Sequence, residues 1–408
     1  MRILLFALNF PPELTGAAVT TAGRVRHLIH RGHQVTVIAG FPHYPAWRVL
    51  EGYRHFRMKE SIDGAEVVRR WHHVPARNAA PGRVLLEASF AATAVPTGLT
   101  ATRPDVVLSV MPAVAAGLAG MLTARRFAVP HGIFVLDLSG RAAEQSGMAG
   151  GRLARRLAEP LERAILRGAS RVGVITEGFR VPLLEMGVSR DRIDLMRDWK
   201  EPHTLSRSRE NVRERLGLPL DSPLALHSGN MGSKQGLEHV LRAAVLAGVE
   251  WPELRFVLVG GGSERERLKS EAAQLGLKNV VFLDLVPPEV FPSLLGSADV
   301  LLLNQRASVV EMSMPSKLVD YFASGRPVVA AVNSKSEAAK EVARAHAGTV
   351  VPPEDPRQLL GAIRAMVEDA ELASRMGRAA QTYISKHNAR GILEESLDRF
   401  LQDLVTSG

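Results

Sequence analysis

Short apolar strand patterns alternate with amphipathic helix patterns along almost the whole of this chain. The first strand pattern covers residues 3–8, a double proline follows at 11 and 12, and a helix pattern covers 17–31. Parallel strands need a crossover connection, which is usually a helix, so the alternation predicts parallel α/β architecture. Further strands are predicted at 35–39, 67–70, 106–110, 132–136 and 173–175, and then at 224–228, 256–260, 280–283, 300–303, 328–331 and 348–351.

The strand patterns form two series with a polar stretch between them. The chain has 408 residues, which is enough for two domains of ordinary size. The boundary is predicted between 191 and 202, which gives an N-terminal domain of residues 1–197 and a C-terminal domain of residues 198–385. The last segment, 386–408, belongs to an amphipathic helix with a kink near Asn388. We expect two Rossmann-like, doubly wound domains that face a central cleft.

One run without charge, residues 106–124, is about as long as a membrane-spanning helix. Ala and Gly dominate it where a spanning helix would favour Leu and Ile, and Pro112 interrupts it, so we predict a buried strand and then a small-residue helix. The first residues lack the long apolar region and cleavage site of a signal peptide. The chain has no cysteine, which excludes disulfides and cysteine-ligated metals. A cytoplasmic location is expected.

Positive charge is concentrated in the N-terminal half. Residues 1–200 hold 27 Lys+Arg and 16 Asp+Glu, a net charge of +11, whereas the remainder carries −2. Such a half could attract a phosphate-bearing acceptor, or anionic lipid at the inner face of a membrane. It could equally be a solvated helix face, because Glu159 and Glu162 lie among the arginines. Nucleic acid is not an expected partner, because no recognition motif accompanies the charge. The notable arginines are Arg152, Arg155, Arg156, Arg163, Arg167 and Arg171.

The run EMSMPSKLVDYFASGRPVV, residues 311–329, predicts an anion-binding helix start. The amides of Ser316, Lys317 and Leu318 would be free of intrahelical bonds and would lie at the positive end of the helix dipole. Asp320, about one turn further on, could accept hydrogen bonds from a sugar hydroxyl. Diphosphate at the helix start and ribose beside the next turn would together make a nucleotide-sugar site.

The same run resembles the donor-binding signature of the family 4 retaining glycosyltransferases, which have the GT-B fold. In that family two acidic residues eight apart bracket the helix start and precede a segment like AAGKPVV, whereas here Glu311 lies nine residues before Asp320. Residues 41–54, FPHYPAWRVLEGYR, resemble a loop of bacterial colanic-acid and O-antigen type exopolysaccharide transferases, and RDWKEP at 197–202 resembles their NW turn. The resemblance implies that the last helix, 386–408, crosses back onto the N-terminal domain.

The resemblance extends to a glycine-rich turn, LHSGNMGSKQGLE, at residues 226–238. In the family a basic residue of this turn pairs with the donor phosphates, and Lys234 would take that role here. Many members have an arginine where this chain has Asn230, and Lys317 would supply the missing cation. Gly16, in the first βα turn, would let backbone approach the diphosphate from the N-terminal domain.

Another glycine-rich turn follows the strand pattern at 256–260. Its GxG run has Arg265 where a dinucleotide fingerprint would have its third glycine, so the fingerprint is broken. The turn looks more like a family turn near the nucleobase end of the donor, which makes Gly262 a candidate donor-binding residue.

Asp137 ends a predicted strand at the position where the family commonly places a histidine near the transferred sugar. In the subgroup that this chain resembles the residue is Asp, within DLWP or similar, and Ser139-Gly140 replace the Trp-Pro here. Asp137 could instead cap the following helix. The resemblance implies that Glu311 contacts the transferred sugar, so the candidate catalytic residues are Asp137, Glu311 and Lys234. His131 is predicted to be structural.

We therefore expect a retaining glycosyltransferase that uses a nucleotide-diphosphate sugar, with UDP- or GDP-sugars favoured, and a glycan or lipid-linked acceptor. No Asp-x-Asp occurs in the sequence, which predicts a metal-independent donor site without a cofactor. A related enzyme that decorates a small-molecule natural product would differ only in its acceptor. A nucleotide-dependent oxidoreductase or epimerase would need an intact dinucleotide fingerprint and a Tyr-x-x-x-Lys pair, and the sequence has neither. A non-enzymatic binding module would leave a complete donor site unused.

Overall fold

The computed structural model describes residues 1–13, 17–44, 46–53, 55–75, 80–138, 151–197, 202–203, 207–309 and 315–406. The strands in these residues are β1 Arg2–Ala7, β2 Gln34–Gly40, β3 Arg57–Ile62, β4 Ala65–Arg70, β5 Val106–Met111, β6 His131–Val135, β7 Arg171–Val174, β8 Ile193–Leu195, β9 Leu224–Ser228, β10 Arg255–Val259, β11 Val280–Leu283, β12 Val300–Asn304, β13 Val328–Ala331 and β14 Gly348–Val351. The helices are α1 Ala17–His30, α2 Ala80–Leu99, α3 Val114–Phe127, α4 Gly151–Arg167, α5 Arg180–Glu185, α6 Arg209–Arg215, α7 Glu238–Glu250, α8 Arg265–Gln274, α9 Phe291–Ser297, α10 Ser316–Ser324, α11 Glu337–Arg344, α12 Pro356–Glu368, α13 Ala370–His387 and α14 Arg390–Thr406.

The chain divides into two compact units. The first consists of Met1–Asp198 together with Gly391–Gly408, and the second of Trp199–Arg390. Each unit has its own sheet and its own core.

The first unit contains an eight-stranded sheet in the order β3-β4-β2-β1-β5-β6-β7-β8. All neighbouring strands are parallel except β3, which pairs antiparallel with β4 at one edge. Alternate residues of β1 point to opposite faces of the sheet, as the pleat requires. Ile3 and Leu5 pack on the face that α1 and α14 cover, whereas Leu4 and Phe6 pack on the face that α2 and α3 cover.

The final helix, α14, belongs to the core of the first unit. Leu397 and Phe400 of this helix pack in the same cluster as the β1 side chains, and the Phe400 ring lies 5.3 Å from that of Phe134. Polar contacts also hold this helix to the rest of the unit. Asp398 lies 2.9 Å from Nε2 of His27, and Asp403 accepts a hydrogen bond from Arg171 at 3.1 Å.

The second unit contains a six-stranded, wholly parallel sheet in the order β11-β10-β9-β12-β13-β14. β9, the first strand of this unit, is central in the sheet, and the connections run outward from it in both directions, which is the doubly wound pattern. Apolar side chains from both faces of the sheet are buried against helices, in two clusters. Strands buried on both faces read as continuous apolar runs, which is why they could be predicted.

Three features differ from the predicted elements. The hairpin strand β3 and the three-residue strand β8 were not predicted. The C-terminal segment is not one kinked helix, because α13 ends at His387 and α14 begins at Arg390. Asn388 lies between them with φ −128° and ψ 7°, outside helical geometry.

The uncharged run 106–124 forms β5 and the first part of α3, with the turn at Pro112 between them, as predicted. Among the residues that the structure describes, no helix is both long enough and apolar enough to cross a bilayer.

Candidate active site

The carboxyl ends of β9 and β12 mark the point where the strand order of the second sheet reverses. The chain continues from β9 to β10 on one side and from β12 to β13 on the other, so the two connections diverge and leave a crevice. A cavity of about 360 Å³ lies at this point. Residues 228–230, 303–305 and 315–317 line it, together with Gln235, Phe291 and Asp320. The cavity therefore occupies the place where doubly wound sheets bind ligands.

The first residues of α10 contribute directly to the wall of the cavity. Pro315 stands just before the helix, with φ −57° and ψ 127°. The Leu318 N–H already donates to the Pro315 carbonyl at 2.9 Å. This bond narrows the predicted set of anion-binding amides to those of Ser316 and Lys317, which both line the cavity.

Lys317 extends its side chain across the end of β9. Its Nζ lies 3.3 Å from Nε2 of the buried His227, and the Nδ1 of His227 lies 3.3 Å from the Leu302 carbonyl oxygen. A carbonyl can only accept, so Nδ1 carries the proton and Nε2 accepts from the lysine. Burial, followed by the charge of Lys317, holds the pKa of His227 well below its ordinary value. The imidazole is therefore neutral, and it does not offset the positive charge of Lys317.

Gly229 provides the space for this lysine. It has φ +116°, and a Cβ atom there would lie 3.3 Å from both Cε and Nζ of Lys317. A larger residue would be strained in this backbone conformation and would crowd the lysine.

Tyr321 fixes the helix to the sheet. It is fully buried, and its hydroxyl accepts a hydrogen bond from the Ser228 N–H at 2.8 Å. The hydroxyl is also 3.3 Å from the Leu302 carbonyl, to which it can donate. Burial raises the pKa of Tyr321 above its ordinary value, so the proton needed for that donation is retained. One side chain thereby joins α10 to the end of β9 and to the middle of β12.

Asp320 lines the cavity one turn into α10, where the ribose was predicted. Its Oδ1 lies 3.6 Å from Nε2 of His203, and the His203 N–H donates to the Ala323 carbonyl at 2.8 Å. His203 thus lies against the carboxylate from outside the helix. A carboxylate at this position can accept hydrogen bonds from a ligand in the cavity.

Lys234 lies in a 3-10 turn, Ser233–Gln235, between β9 and α7. The end of β12 clamps this turn: Asn304 donates to the Gly236 carbonyl at 3.0 Å, and the Arg306 N–H donates to the Lys234 carbonyl at 2.9 Å. Gln235 lines the cavity, whereas the Lys234 side chain is half-buried next to it and does not. The turn and the start of α10 therefore meet at one cavity, as the predicted diphosphate site requires.

The glycines of the turn after β10 pack against the loop after β9. A Cβ atom at Gly260 would lie 2.2 Å from the Gly229 carbonyl oxygen, and one at Gly262 would lie 2.5 Å from Oδ1 of Asn230. The Met231 N–H donates to the Gly261 carbonyl at 2.7 Å. The GxG run thus lets two loops approach closely. Gly262 does not line the cavity, and donor binding by Gly262 stays a prediction.

Asp137 follows β6 at the carboxyl edge of the first sheet. Its Oδ1 accepts a hydrogen bond from the Leu138 N–H at 2.8 Å. His131, at the opposite end of β6, is buried with Nε2 2.8 Å from the Ser109 hydroxyl, and burial lowers its pKa to about 3. These contacts fit a structural histidine. Gly16 and Glu311 lie outside the described residues.

Sequence reasoning missed three residues that organise the site. His227, Asn304 and Tyr321 are fixed by bonds between residues 68 to 93 positions apart. One pattern in the sequence could have indicated His227. The apolar strand β9 ends in a polar His-Ser pair, at the carboxyl edge of the sheet where ligands bind. In the residues that the structure describes, no group of three or more His, Cys, Asp or Glu side chains could hold a metal. Metal independence stays a prediction.

Two family descriptions match this chain one after the other. "Glycosyl transferase 4-like domain" matches residues 15–199, and "Glycosyl transferases group 1" matches residues 208–383.

A curated relative matches most of the chain. "Putative colanic acid biosynthesis glycosyl transferase WcaI" of Escherichia coli (strain K12) is 31% identical over 347 residues, which cover 83% of this chain and 84% of the relative.

Solved structures share the fold over the whole chain. Sucrose-phosphate synthase (tll1590) from Thermosynechococcus elongatus has a TM-score of 0.77 at 17% identity, with 100% of both chains covered. Anabaena Alr3699/HepE in complex with UDP has a TM-score of 0.74 at 17% identity, with 98% of this chain and 100% of that chain covered. A second structure of the latter protein contains UDP-glucose and has a TM-score of 0.72.

Proposed function

This chain belongs to the family 4 glycosyltransferases and has their GT-B fold, and on that premise we propose that it moves a sugar from a nucleotide-diphosphate sugar to a glycan or lipid-linked acceptor with retention of configuration. The glycosyltransferase activity follows from the family. It removes the oxidoreductase and epimerase alternative. The donor, the acceptor and the stereochemistry are the proposed parts.

One observation carries the proposal for the donor. The start of α10, the Lys317 ammonium and the Asp320 carboxylate converge on a single cavity at the switch point of the second sheet. A helix start and a cation together suit a diphosphate, and a carboxylate one turn away suits the hydroxyls of a ribose. In a bound nucleotide sugar, the helix start and Lys317 would contact the diphosphate, and Asp320 would contact the ribose.

Charge develops on the departing diphosphate when the bond from C1 of the sugar to its oxygen breaks. Lys317 and the amides of Ser316 and Lys317 would stabilise that charge, and Lys234 would add a second cation from its clamped turn. These groups are fixed by Tyr321, His227 and Asn304, so little reorganisation is needed when the charge appears. We assign Gly16 to the diphosphate and Glu311 to the transferred sugar, on the resemblance.

The acceptor hydroxyl forms the new bond to C1 and loses its proton in the same overall reaction. Asp137 is the proposed residue of the first unit near the transferred sugar, because it stands at the carboxyl edge where ligands meet a parallel sheet. Its half-buried carboxylate can accept a hydrogen bond from a sugar or an acceptor hydroxyl.

We propose a UDP-sugar as the first donor to test. The complexes of Anabaena HepE contain UDP and UDP-glucose, and that protein shares the fold across the whole chain. A GDP-sugar is the second choice. The colanic acid relative supports an exopolysaccharide intermediate as the acceptor.

Thermal-shift screening against UDP, GDP, TDP and ADP tests the donor site. We expect one nucleotide to raise Tm well above the others. The variant Lys234→Ala should then abolish sugar transfer and weaken binding of that nucleotide, while its unfolding temperature without ligand stays close to that of the wild type. Unchanged turnover in the Lys234→Ala variant would refute the assignment of the donor site.

A further inference from the structure

The edge hairpin of the first unit places two arginines directly opposite each other. In the antiparallel ladder of β3 and β4, Arg57 is the register partner of Arg70. Like charges in directly opposite positions destabilise a β-ladder. The pair therefore has an electrostatic cost, which a bound anion would relieve.

No acidic side chain in the described part of the chain relieves that cost. Neither arginine forms an ion pair there, and the Nε of Arg70 is buried without a hydrogen-bond partner. The one neighbouring acid, Glu66, is paired with Lys59. Burial and the charge of Arg57 both lower the pKa of Arg70, as expected for a partly buried cation beside another cation.

These arginines line an open groove of about 700 Å³ on the face of the sheet, between the hairpin and the end of α2. Its charged lining residues are Arg2, Arg57, Lys59, Glu66 and Arg70. Four cations and one carboxylate leave the groove strongly positive.

An exposed aromatic pair lies at the end of the same hairpin. Phe56 precedes β3 and Trp71 follows β4, and their rings stack at 6.3 Å with 17° between the planes. Phe56 is 64% exposed and Trp71 43% exposed, although both are large apolar side chains. The Arg70 guanidinium lies 5.3 Å from the centre of the Phe56 ring, so the aromatic pair and the cations form one surface.

The position of this surface relates it to the reaction. Trp71 directly follows β4, so the aromatic pair stands at the carboxyl edge of the first sheet. Asp137 follows β6 at the same edge. In parallel sheets that edge is where ligands bind.

We propose that this surface, formed by Phe56, Arg57, Arg70 and Trp71, docks the enzyme on an anionic phospholipid bilayer. Lipid phosphates would bind at Arg57 and Arg70, and the aromatic pair would enter the headgroup region, where Trp and other amphipathic or aromatic rings are favoured. Docking through the carboxyl edge would hold that edge near an acceptor whose lipid anchor lies in the same membrane. The docking itself does not depend on which sugar is transferred.

A bilayer fits these residues better than a nucleic acid does. Proteins that bind single strands offer free aromatic faces on which bases stack. Here Trp71 and Arg70 already lie against the Phe56 ring. A membrane interface makes no such demand on ring faces, and it supplies a dense array of phosphates.

Co-sedimentation of the full chain with vesicles tests the proposal. The wild type should bind vesicles that contain phosphatidylglycerol and should not bind vesicles of phosphatidylcholine. The partition coefficient of the double variant Arg57→Gln/Arg70→Gln should fall roughly 30-fold. Each basic residue near an anionic surface strengthens binding about five- to sixfold, and the variant lacks two of them. Phe56→Ser/Trp71→Ser should lose binding as well.

Two control variants match these changes elsewhere. Arg190→Gln/Arg192→Gln removes the same charge beside β8, at the opposite edge of the same sheet. Val249→Ser/Leu285→Ser removes two exposed apolar side chains from the second unit. Both controls should bind vesicles like the wild type.

Three results would overturn the proposal: no partition onto anionic vesicles, equal losses in test and control variants, or binding of a single-stranded oligonucleotide that depends on the same four residues. Binding of UDP to the test variants should be unchanged, since the donor cavity lies in the second unit. A failure of docking can therefore be told apart from a failure of the donor site.

Discussion

The ammonium of Lys317 lies 3.3 Å from Nε2 of His227, and the ring proton of His227 is on Nδ1, which donates to the Leu302 carbonyl. A carboxylate in the place of His227 would orient the lysine equally well, but it would cancel much of its charge. A neutral imidazole orients the lysine without offsetting its positive charge. The pair therefore suits a site that must hold an anion.

Replacing Lys317 with alanine should weaken binding of the preferred nucleoside diphosphate by about 10- to 100-fold. That range corresponds to about 1.4–2.7 kcal/mol, close to the loss of one hydrogen bond to a charged group. Isothermal titration calorimetry would measure it. Lys278→Ala, an exposed lysine before β11, serves as the control and should bind like the wild type. Equal affinities for both variants would contradict the role of Lys317.

Tyr321→Phe should cost both stability and donor affinity. The change leaves the Ser228 N–H buried without its acceptor, which costs about 1–3 kcal/mol, and it frees α10 from the end of β9. Denaturant unfolding and nucleotide titration would measure the two effects. Tyr383→Phe is the matched control, because Tyr383 donates to Glu341 in the same unit but does not line the cavity. The control should lose stability only, and a similar loss of nucleotide affinity in both would count against a positioning role for Tyr321.

Gly260→Ala should disrupt the loops beside the cavity, whereas Gly261→Ala should be nearly neutral. Gly260 has φ +129°, and a Cβ atom there would meet the Gly229 carbonyl at 2.2 Å. Gly261 has open space around its Cβ position and no positive φ. We expect Gly260→Ala to lower the free energy of unfolding by at least about 2 kcal/mol, from strain and overpacking together. Chemical denaturation would measure the free energy of unfolding of the two variants. Equal losses in both would contradict the special role of Gly260.

The strands of the second sheet could be predicted almost to the residue, whereas β3 could not. β9, β11, β13 and β14 have the predicted bounds, because each is a short and mostly apolar run; β9 and β13 are fully buried, and β11 and β14 are largely half-buried. β3, RMKESI, has no buried face, since its residues are alternately exposed and half-buried. Without a buried face there is no apolar period to detect.

The residues of the candidate site also differ in how far the sequence could predict them. The start of α10 and the turn at Lys234 are local patterns, so the sequence alone indicated them. The buried bonds of Tyr321 and Asn304 join segments that are far apart in the chain, and the sheet order brings those segments together. A single sequence carries no spacing that predicts such contacts.

Acid should destabilise the protein through its buried histidines. Burial lowers the pKa of His72 to about 4 and that of His131 to about 3, whereas the unfolded chain has its ordinary value near 6.5. The unfolded state therefore binds more protons below pH 6.5, and the free energy of unfolding falls as the pH falls, by about 1.4 kcal/mol per pH unit for each histidine. The loss continues until the pH reaches the lowered pKa of each group.

The variant His131→Leu should show a shallower dependence on pH. Between pH 6.5 and pH 5 it should lose about 2 kcal/mol less than the wild type, because one titrating group has been removed. Denaturant midpoints at both pH values would measure this difference. His30→Gln, an exposed histidine at the end of α1, should follow the wild type. Parallel behaviour of wild type and His131→Leu would show that His131 does not titrate on unfolding.

The return of α14 to the first unit sets an order on biosynthesis. A ribosome completes β1 to β8 early, but Phe400 and Leu404, which close one face of that sheet, emerge only after the whole second unit has been made. Until then the apolar surface beneath them is open to water and to other chains. The nascent first unit therefore keeps an exposed apolar face until the last 18 residues have been made.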